Sequence, residues 1–98
     1  MKIEKKLDDG TLTVALEGRL DTVTAPELEQ ELNNSLSGVK ELIIDCTKLE
    51  YISSAGLRVL MTAYKALRGK GTMKVTNINE IVREVFEVTG IIDILNVE

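Results

Sequence analysis

The spacing of apolar residues changes along this chain, and that change restricts the possible folds more than any single residue does. Near the start the period is two: Ile3, Lys5 and Leu7 alternate with Lys2, Glu4 and Lys6, and Leu12, Val14 and Leu16 alternate with Thr11, Thr13 and Ala15. Asp9-Gly10 lies between the two runs and supplies residues that tolerate positive φ, so the pattern predicts a β-hairpin. Gly18 is expected to end the second strand and Arg19 to Val23 to form a loop. From Ala25 the period lengthens. Ala25, Leu28, Leu32 and Leu36 fall three and four apart, the spacing of one buried helical stripe. Thr24 and Glu27 are spaced as a capping box, Pro26 is tolerated in a first turn, and Ser37-Gly38 is a stop.

Beyond this helix the two periods alternate. Leu42-Ile43-Ile44 is a short continuous apolar run flanked by charge, which predicts a central strand over Val39 to Cys46 covered on both faces. A loop is expected from Thr47 to Ser53, then a helix carrying Leu57, Leu60, Met61, Tyr64 and Leu67 up to Gly69 and Gly71. Thr72 to Val75 reads as a strand, Asn79 as the cap of a third helix with Ile81, Val82, Val85 and Phe86, and Ile91 to Leu95 as a last strand after Gly90. The resulting order β-β-α-β-α-β-α-β is that of an α/β domain with a mixed sheet and an N-terminal hairpin. The hairpin strands alternate as half-solvated strands do, so the three helices are expected mainly on one face. A chain of 98 residues suffices for one core, so residues 1–98 are expected to form a single domain.

Composition removes several classes of function. Sixteen acidic against twelve basic residues give a net charge of −4, which repels a phosphate backbone, so no direct nucleic-acid ligand is expected. There is no histidine and only one cysteine, Cys46. A Cys/His metal set and a histidine-activated nucleophile are therefore impossible, and Cys46 reads as a small buried residue at a strand end. Carboxylates, Lys or Tyr could still do acid-base work, but general acid-base catalysis most often relies on histidine, so no metal and no catalytic residue is expected and the chain does not read as an enzyme. Met1-Lys2-Ile3-Glu4-Lys5-Lys6 lacks the apolar stretch of a signal peptide, and no apolar run reaches membrane-spanning length. A cytoplasmic protein without membrane contact is expected. Gly69-Lys70-Gly71-Thr72 lacks the spacing of a phosphate loop and precedes a strand rather than a helix, so it reads as a turn.

The segment Leu49-Glu50-Tyr51-Ile52-Ser53-Ser54-Ala55-Gly56-Leu57 joins the central strand to the second helix and puts two hydroxyls and two small residues at that helix's start. Unpartnered amide donors and the positive end of the helix dipole meet there, which suits a phosphate. The same residues have a plainer use, with a serine as N-cap and Gly56 as a close-packing residue, and the segment by itself admits both. Asp21 and Thr22, in the loop before the first helix, are equally open to being a solvated turn in which Asp21 bonds its own backbone. Asp45, expected at a strand's C-terminal end, is a weak site signal.

Tyr51-Ile52-Ser53-Ser54-Ala55-Gly56-Leu57 resembles the pattern of anti-sigma factor antagonists of the STAS domain family, where an aromatic and an apolar residue precede Asp-Ser-Ser/Thr-Gly-Leu. Leu16-Glu17-Gly18-Arg19-Leu20-Asp21 is similar to the family's Gly-x-Leu-Asp segment, and Val85-Phe86-Glu87-Val88-Thr89-Gly90-Ile91 to its segment between the last helix and last strand. The resemblance implies a STAS fold and places Ser54 at the phosphorylated serine, with Asp21, Thr22, Ser53, Ala55 and Gly56 in the partner-binding surface. It implies partner switching that regulates transcription in a bacterial cell. Unphosphorylated protein binds an anti-sigma factor serine kinase and frees the sigma factor, phosphorylation reverses this, and a phosphatase resets the cycle. The kinase brings ATP and magnesium, so this phosphoprotein needs no cofactor, and a monomer is expected. The alternative is a STAS binding module that regulates a non-kinase partner, such as a transporter ATPase or a signalling complex. Ser53 stands where the family usually has Asp.

Overall fold

Asp9 and Gly10 both take positive φ, 50° and 83°, and this two-residue turn joins strand β1 (Lys2–Asp8) to strand β2 (Thr11–Leu20) in the computed structural model, which describes residues 1–98. Helix α1 (Ala25–Ser35) leads to β3 (Glu41–Ile52), α2 (Ser54–Leu67) to β4 (Thr72–Thr76), and α3 (Glu80–Val88) through a 3-10 turn (Ile91–Asp93) to β5 (Asn96–Val97). The strands form one sheet in the order β1-β2-β3-β4-β5, with β1 antiparallel to β2 and every other pairing parallel. This is the mixed α/β sheet with three helices that the alternating periods predict.

Burial shows where the helices lie. Leu12, Val14 and Leu16 of β2, Leu42, Ile44 and Cys46 of β3, and Met73 and Val75 of β4 are buried, and they join Leu28, Leu32, Leu57, Leu60, Val82 and Phe86 of the helices in one apolar cluster. The residues between them, Thr13, Ala15, Ile43, Asp45 and Lys74, are only half-buried. All three helices therefore cover one face of the sheet and leave the other to solvent. Ile43 corrects the expectation of a strand covered on both faces: an apolar run can sit in a central strand whose second face is merely shielded by its neighbours.

Several boundaries and one cap also differ from the sequence reading, the central strand starting at Glu41 rather than Val39 among them. Gly18 does not end β2; with φ of 103° it lies where the pairing with β3 shifts register, and the strand runs on to Leu20. Residues 47–52 are not a loop but the second half of β3. That half carries two extra residues relative to β2, because Asp45 and Lys48 face Ala15 and Glu17 while Leu49 and Tyr51 face Gly18 and Arg19. Such bulges break strict alternation, leaving Thr47 and Lys48 both exposed, so a strand resembles a loop. Thr24 makes no side-chain cap at α1, so the capping box with Glu27 does not form. Finally, Ile91–Asp93 is a 3-10 turn and the last strand is Asn96–Val97 rather than Ile91 to Leu95. The third helix cap is as read, since Asn79 Oδ1 accepts the Val82 amide at 2.8 Å.

Candidate functional site

Parallel strands β2 and β3 end side by side, and each hands over to a helix there. Leu20 faces Ile52 in the ladder, and the Ser53 amide donates to the Leu20 carbonyl at 2.9 Å. The segment from Arg19 to Thr24 is thereby anchored beside the serine pair, although the two segments lie about thirty residues apart in sequence. Asp21 and Thr22 are thus brought to the same end of the sheet as Ser53, Ser54, Ala55 and Gly56.

The β2–α1 junction is a closed hydrogen-bonded turn. Asp21 Oδ1 accepts the amides of Val23 (3.0 Å) and Thr24 (3.2 Å), while the Asp21 amide donates to Thr24 Oγ1 at 2.9 Å. Thr24 Oγ1 donates in turn to the Arg19 carbonyl at 2.8 Å, which is why it is not available as a cap. These bonds, from the Thr24 amide first, with help from Arg19 (Nε to Asp21 Oδ2, 3.8 Å), hold the Asp21 carboxyl below the ordinary aspartate range. Arg19 also lies over the ring of its cross-strand partner Tyr51, 4.4 Å from the centroid. Thr22 and Val23 at the tip are exposed.

The β3–α2 junction is open. Ser53 sits at the N-cap with extended backbone (φ −101°, ψ 176°), yet its side chain makes no cap bond, and its Oγ is buried with no hydrogen-bond partner. Ser54 begins the helix and is exposed, and Ala55 is half-buried. The first helical bond is Leu57 N–H to the Ser53 carbonyl at 3.0 Å, so the amides of Ser54, Ala55 and Gly56 have no acceptor within the helix. Gly56 allows α2 to approach the strand ends closely: a Cβ there would lie 2.6 Å from Leu20 Cγ and 2.9 Å from Ile52 Cγ1.

Two residues weighed for function lie elsewhere. Because β3 continues to Ile52, Asp45 is in mid-strand, not at a C-terminal end, and its Oδ1 accepts from Thr47 Oγ1 (2.6 Å), Thr47 N (3.0 Å) and Asn77 Nδ2 (3.2 Å). These bonds, led by the Thr47 hydroxyl, lower its pKa. Cys46 is buried as read, though also in mid-strand, and burial pushes its thiol up to about 12, so it is held as the unreactive thiol. No three or more His, Cys, Asp or Glu side chains gather as they would around a metal, and no helix is long and apolar enough to cross a membrane. The sequence reading missed the Arg19–Tyr51 pair and the hub formed by Thr24. A signal for the pair existed in the aromatic residue that opens the second segment, but only the strand register shows what it faces.

These features define a small α/β domain with an exposed serine hydroxyl at a helix N-terminus. The STAS domain family model matches residues 2–98, and the chain belongs to that family. It is 37% identical over 99 residues to BtrV of Bordetella bronchiseptica, a protein provisionally named an anti-sigma factor antagonist, covering 99% of this chain and 85% of that one. It is 32% identical over 98 residues to the anti-sigma-B factor antagonist of Listeria monocytogenes, covering 96% and 84%. Among solved structures it is similar to an anti-sigma factor antagonist from Mycobacterium paratuberculosis, with a TM-score of 0.90 and 27% identity over 98% of this chain and 83% of that one.

Proposed function

We propose that this chain is a cytoplasmic anti-sigma factor antagonist that acts by binding, not catalysis, with phosphorylation of Ser54 as its switch. The observation that carries the reading is the contrast within the serine pair: Ser54 is exposed at the first position of α2, whereas the Ser53 hydroxyl is buried. A kinase can reach only the former without unfolding the junction. Named relatives of similar length support the antagonist function.

In the proposed cycle the unphosphorylated form binds an anti-sigma factor serine kinase through the two junctions, with Asp21, Thr22, Ser53, Ala55 and Gly56 in or under the contact surface, and the sigma factor is released. The kinase then transfers the γ-phosphoryl group of ATP to Ser54 Oγ; the hydroxyl proton leaves to a base of the kinase and ADP departs. The product carries about −1.5 to −2 additional charges at a helix N-terminus. The free amides of Ser54, Ala55 and Gly56 and the helix dipole stabilise that charge, and Arg58, exposed one turn further on the same face, adds an ion pair at i to i+4 spacing. The fold therefore survives the modification while the partner meets new charge that it must desolvate. A loss of contact energy of roughly 3 kcal/mol corresponds to on the order of a hundredfold in affinity, enough to exchange partners. A phosphatase hydrolyses the ester and resets the cycle.

The test is mass spectrometry of wild type, Ser53→Ala and Ser54→Ala after incubation with the cognate kinase and ATP, together with calorimetric binding of both forms of the wild type. Expected outcomes are phosphate on wild type and on Ser53→Ala, none on Ser54→Ala, and binding at least about tenfold weaker after modification. Loss of phosphate from Ser53→Ala alone would move the acceptor by one residue. Equal binding of both forms would overturn the switch, and a partner without kinase activity would favour a STAS module serving another kind of complex.

A further inference from the structure

The sheet has one long free edge. Its two outer strands are β1, with seven residues, and β5, with two. The two-residue turn makes Asp8 and Thr11 a hydrogen-bonded pair, and the antiparallel register carries this parity along the hairpin. Lys2, Glu4, Lys6 and Asp8 therefore turn their main-chain groups toward β2, and Ile3, Lys5 and Leu7 turn theirs outward. The outward amides and carbonyls take part in none of the turn, loop or cap hydrogen bonds of the molecule.

We propose that this edge pairs with the same edge of a second copy, antiparallel about a two-fold axis through Lys5, joining two sheets into one. Parity admits only registers in which outward-facing residues oppose each other, and charge selects among those that keep most of the strand paired. With Lys5 opposite Lys5, Lys2 faces Asp8 and Glu4 faces Lys6, each contact occurring twice by symmetry, while Ile3 faces Leu7 on the helix-covered side. A slip to pair Ile3 with Lys5 sets Lys2 against Lys6 and Glu4 against itself. A slip the other way sets Glu4 against Asp8 and Lys6 against itself. The central register alone of the three opposes unlike charges, and it forms about six main-chain hydrogen bonds.

Two further observations fit this register. Leu7 is 66% exposed, a large apolar side chain outside the core cluster, and the pairing lays it against the half-buried Ile3 of the other copy. The one like-charge contact, Lys5 with itself, is already compensated, since each Lys5 Nζ lies 2.6 Å from Glu31 Oε2 and 3.0 Å from Ser35 Oγ of its own α1. Charged edges ordinarily repel strand addition. Here the pattern repels the offset registers and admits one. The monomer expected from the sequence is thus one partner of a weak dimer. Ser54, at the end of β3 and two strands inward from β1, remains accessible, so the pairing is independent of the proposed switch.

Sedimentation velocity across a concentration series of wild type, Glu4→Lys and Lys6→Glu, with circular dichroism to confirm the fold, tests the proposal. Wild type should associate reversibly in the micromolar range and less at higher salt. Each single variant should associate at least about tenfold more weakly, because two contacts become like-charged. An equimolar mixture of the two variants should recover the association as a heterodimer, since the new lysine of one faces the new glutamate of the other. A wild type that stays monomeric at the highest concentration, single variants that associate like wild type, or a mixture no better than its components would each overturn it.

Discussion

At the β2–α1 junction the polar groups that form the turn have partners within it: Asp21 Oδ1 takes two amides, Thr24 Oγ1 bridges the Asp21 amide and the Arg19 carbonyl, and the Ala25 amide returns to the Asp21 carbonyl at 2.8 Å. At the β3–α2 junction, one strand over, the amides of the first helical turn have no acceptor in the helix and the N-cap hydroxyl has no partner at all. A turn that satisfies itself offers a partner a rigid shape, whereas an unsatisfied helix start offers an anion a set of donors already pointed. In the proposed cycle the two junctions would divide the work, one holding the recognition surface and the other receiving the charge.

The largest effect should come from the residue that joins the two junctions. Gly56→Ala places a methyl group 2.6 Å from Leu20 Cγ and 2.9 Å from Ile52 Cγ1, so α2 must move away from the end of both strands. Overpacking of this kind costs about 1–3 kcal/mol and outweighs the gain of up to about 1 kcal/mol from alanine's helix propensity. Urea denaturation should show a net loss; an unchanged midpoint would mean that the junctions are not packed against each other.

Asp21→Ala removes the acceptor that closes the first turn, leaving the Val23 and Thr24 amides to water, and should lower Tm by less than Gly56→Ala. Asp21→Asn keeps an acceptor at the same place and should restore most of the loss at neutral pH. If both variants melt like wild type, the turn is held by its backbone alone and the contrast between junctions disappears.

The two junctions should also differ in acid. Asp21 has a folded pKa below the ordinary aspartate value of about 3.9, so its contribution is fully present above that value and is lost as pH falls through the folded pKa. Asp45, in mid-strand, behaves in the same sense. Melting temperature measured from pH 5 to pH 2 should fall less steeply in Asp21→Asn and in Asp45→Asn than in wild type. No serine of the β3–α2 junction titrates in that range, so Ser53→Ala should leave the slope as it is.

The smallest effect is expected at the open junction itself. An N-cap serine replaced by alanine ordinarily costs about 1 kcal/mol. Here the hydroxyl makes no cap bond and is buried unpaired, so Ser53→Ala should change stability by less than about 0.5 kcal/mol or raise it slightly. A full capping loss would show that Ser53 caps α2 in solution and that this junction is closed too.

Much of this architecture was legible in the residues. The hairpin follows from alternation around Asp9-Gly10, and the first two helices from stripes such as Ala25, Leu28 and Leu32 and Leu57, Leu60 and Leu67. The start of α2 at Ser54 follows from serines before an apolar period, because helix stripes and positive-φ turns depend on neighbours a few residues away. The end of β3 was not legible. Its bulges put Thr47 and Lys48 together on the exposed side, so a pattern confined to one strand reads as a loop, and only the pairing with β2 reveals the strand. The capping at α1 was misread for a related reason: Thr24 carries the residue type of a cap, but the Asp21 amide and the Arg19 carbonyl lie closer to its hydroxyl once β2 extends to Leu20.

What this sequence determines by itself is therefore the hairpin, the three helices, their order with the inner strands, and the serine pair that opens a helix, since each is written in local spacing. Tertiary structure alone decided which hydroxyl of that pair is accessible and which acidic loop stands next to it. Those two properties arise when Leu20 and Ile52 pair across parallel strands and Gly56 lets α2 settle onto them, and in both contacts Leu20 meets a residue more than thirty positions away, which no local pattern encodes.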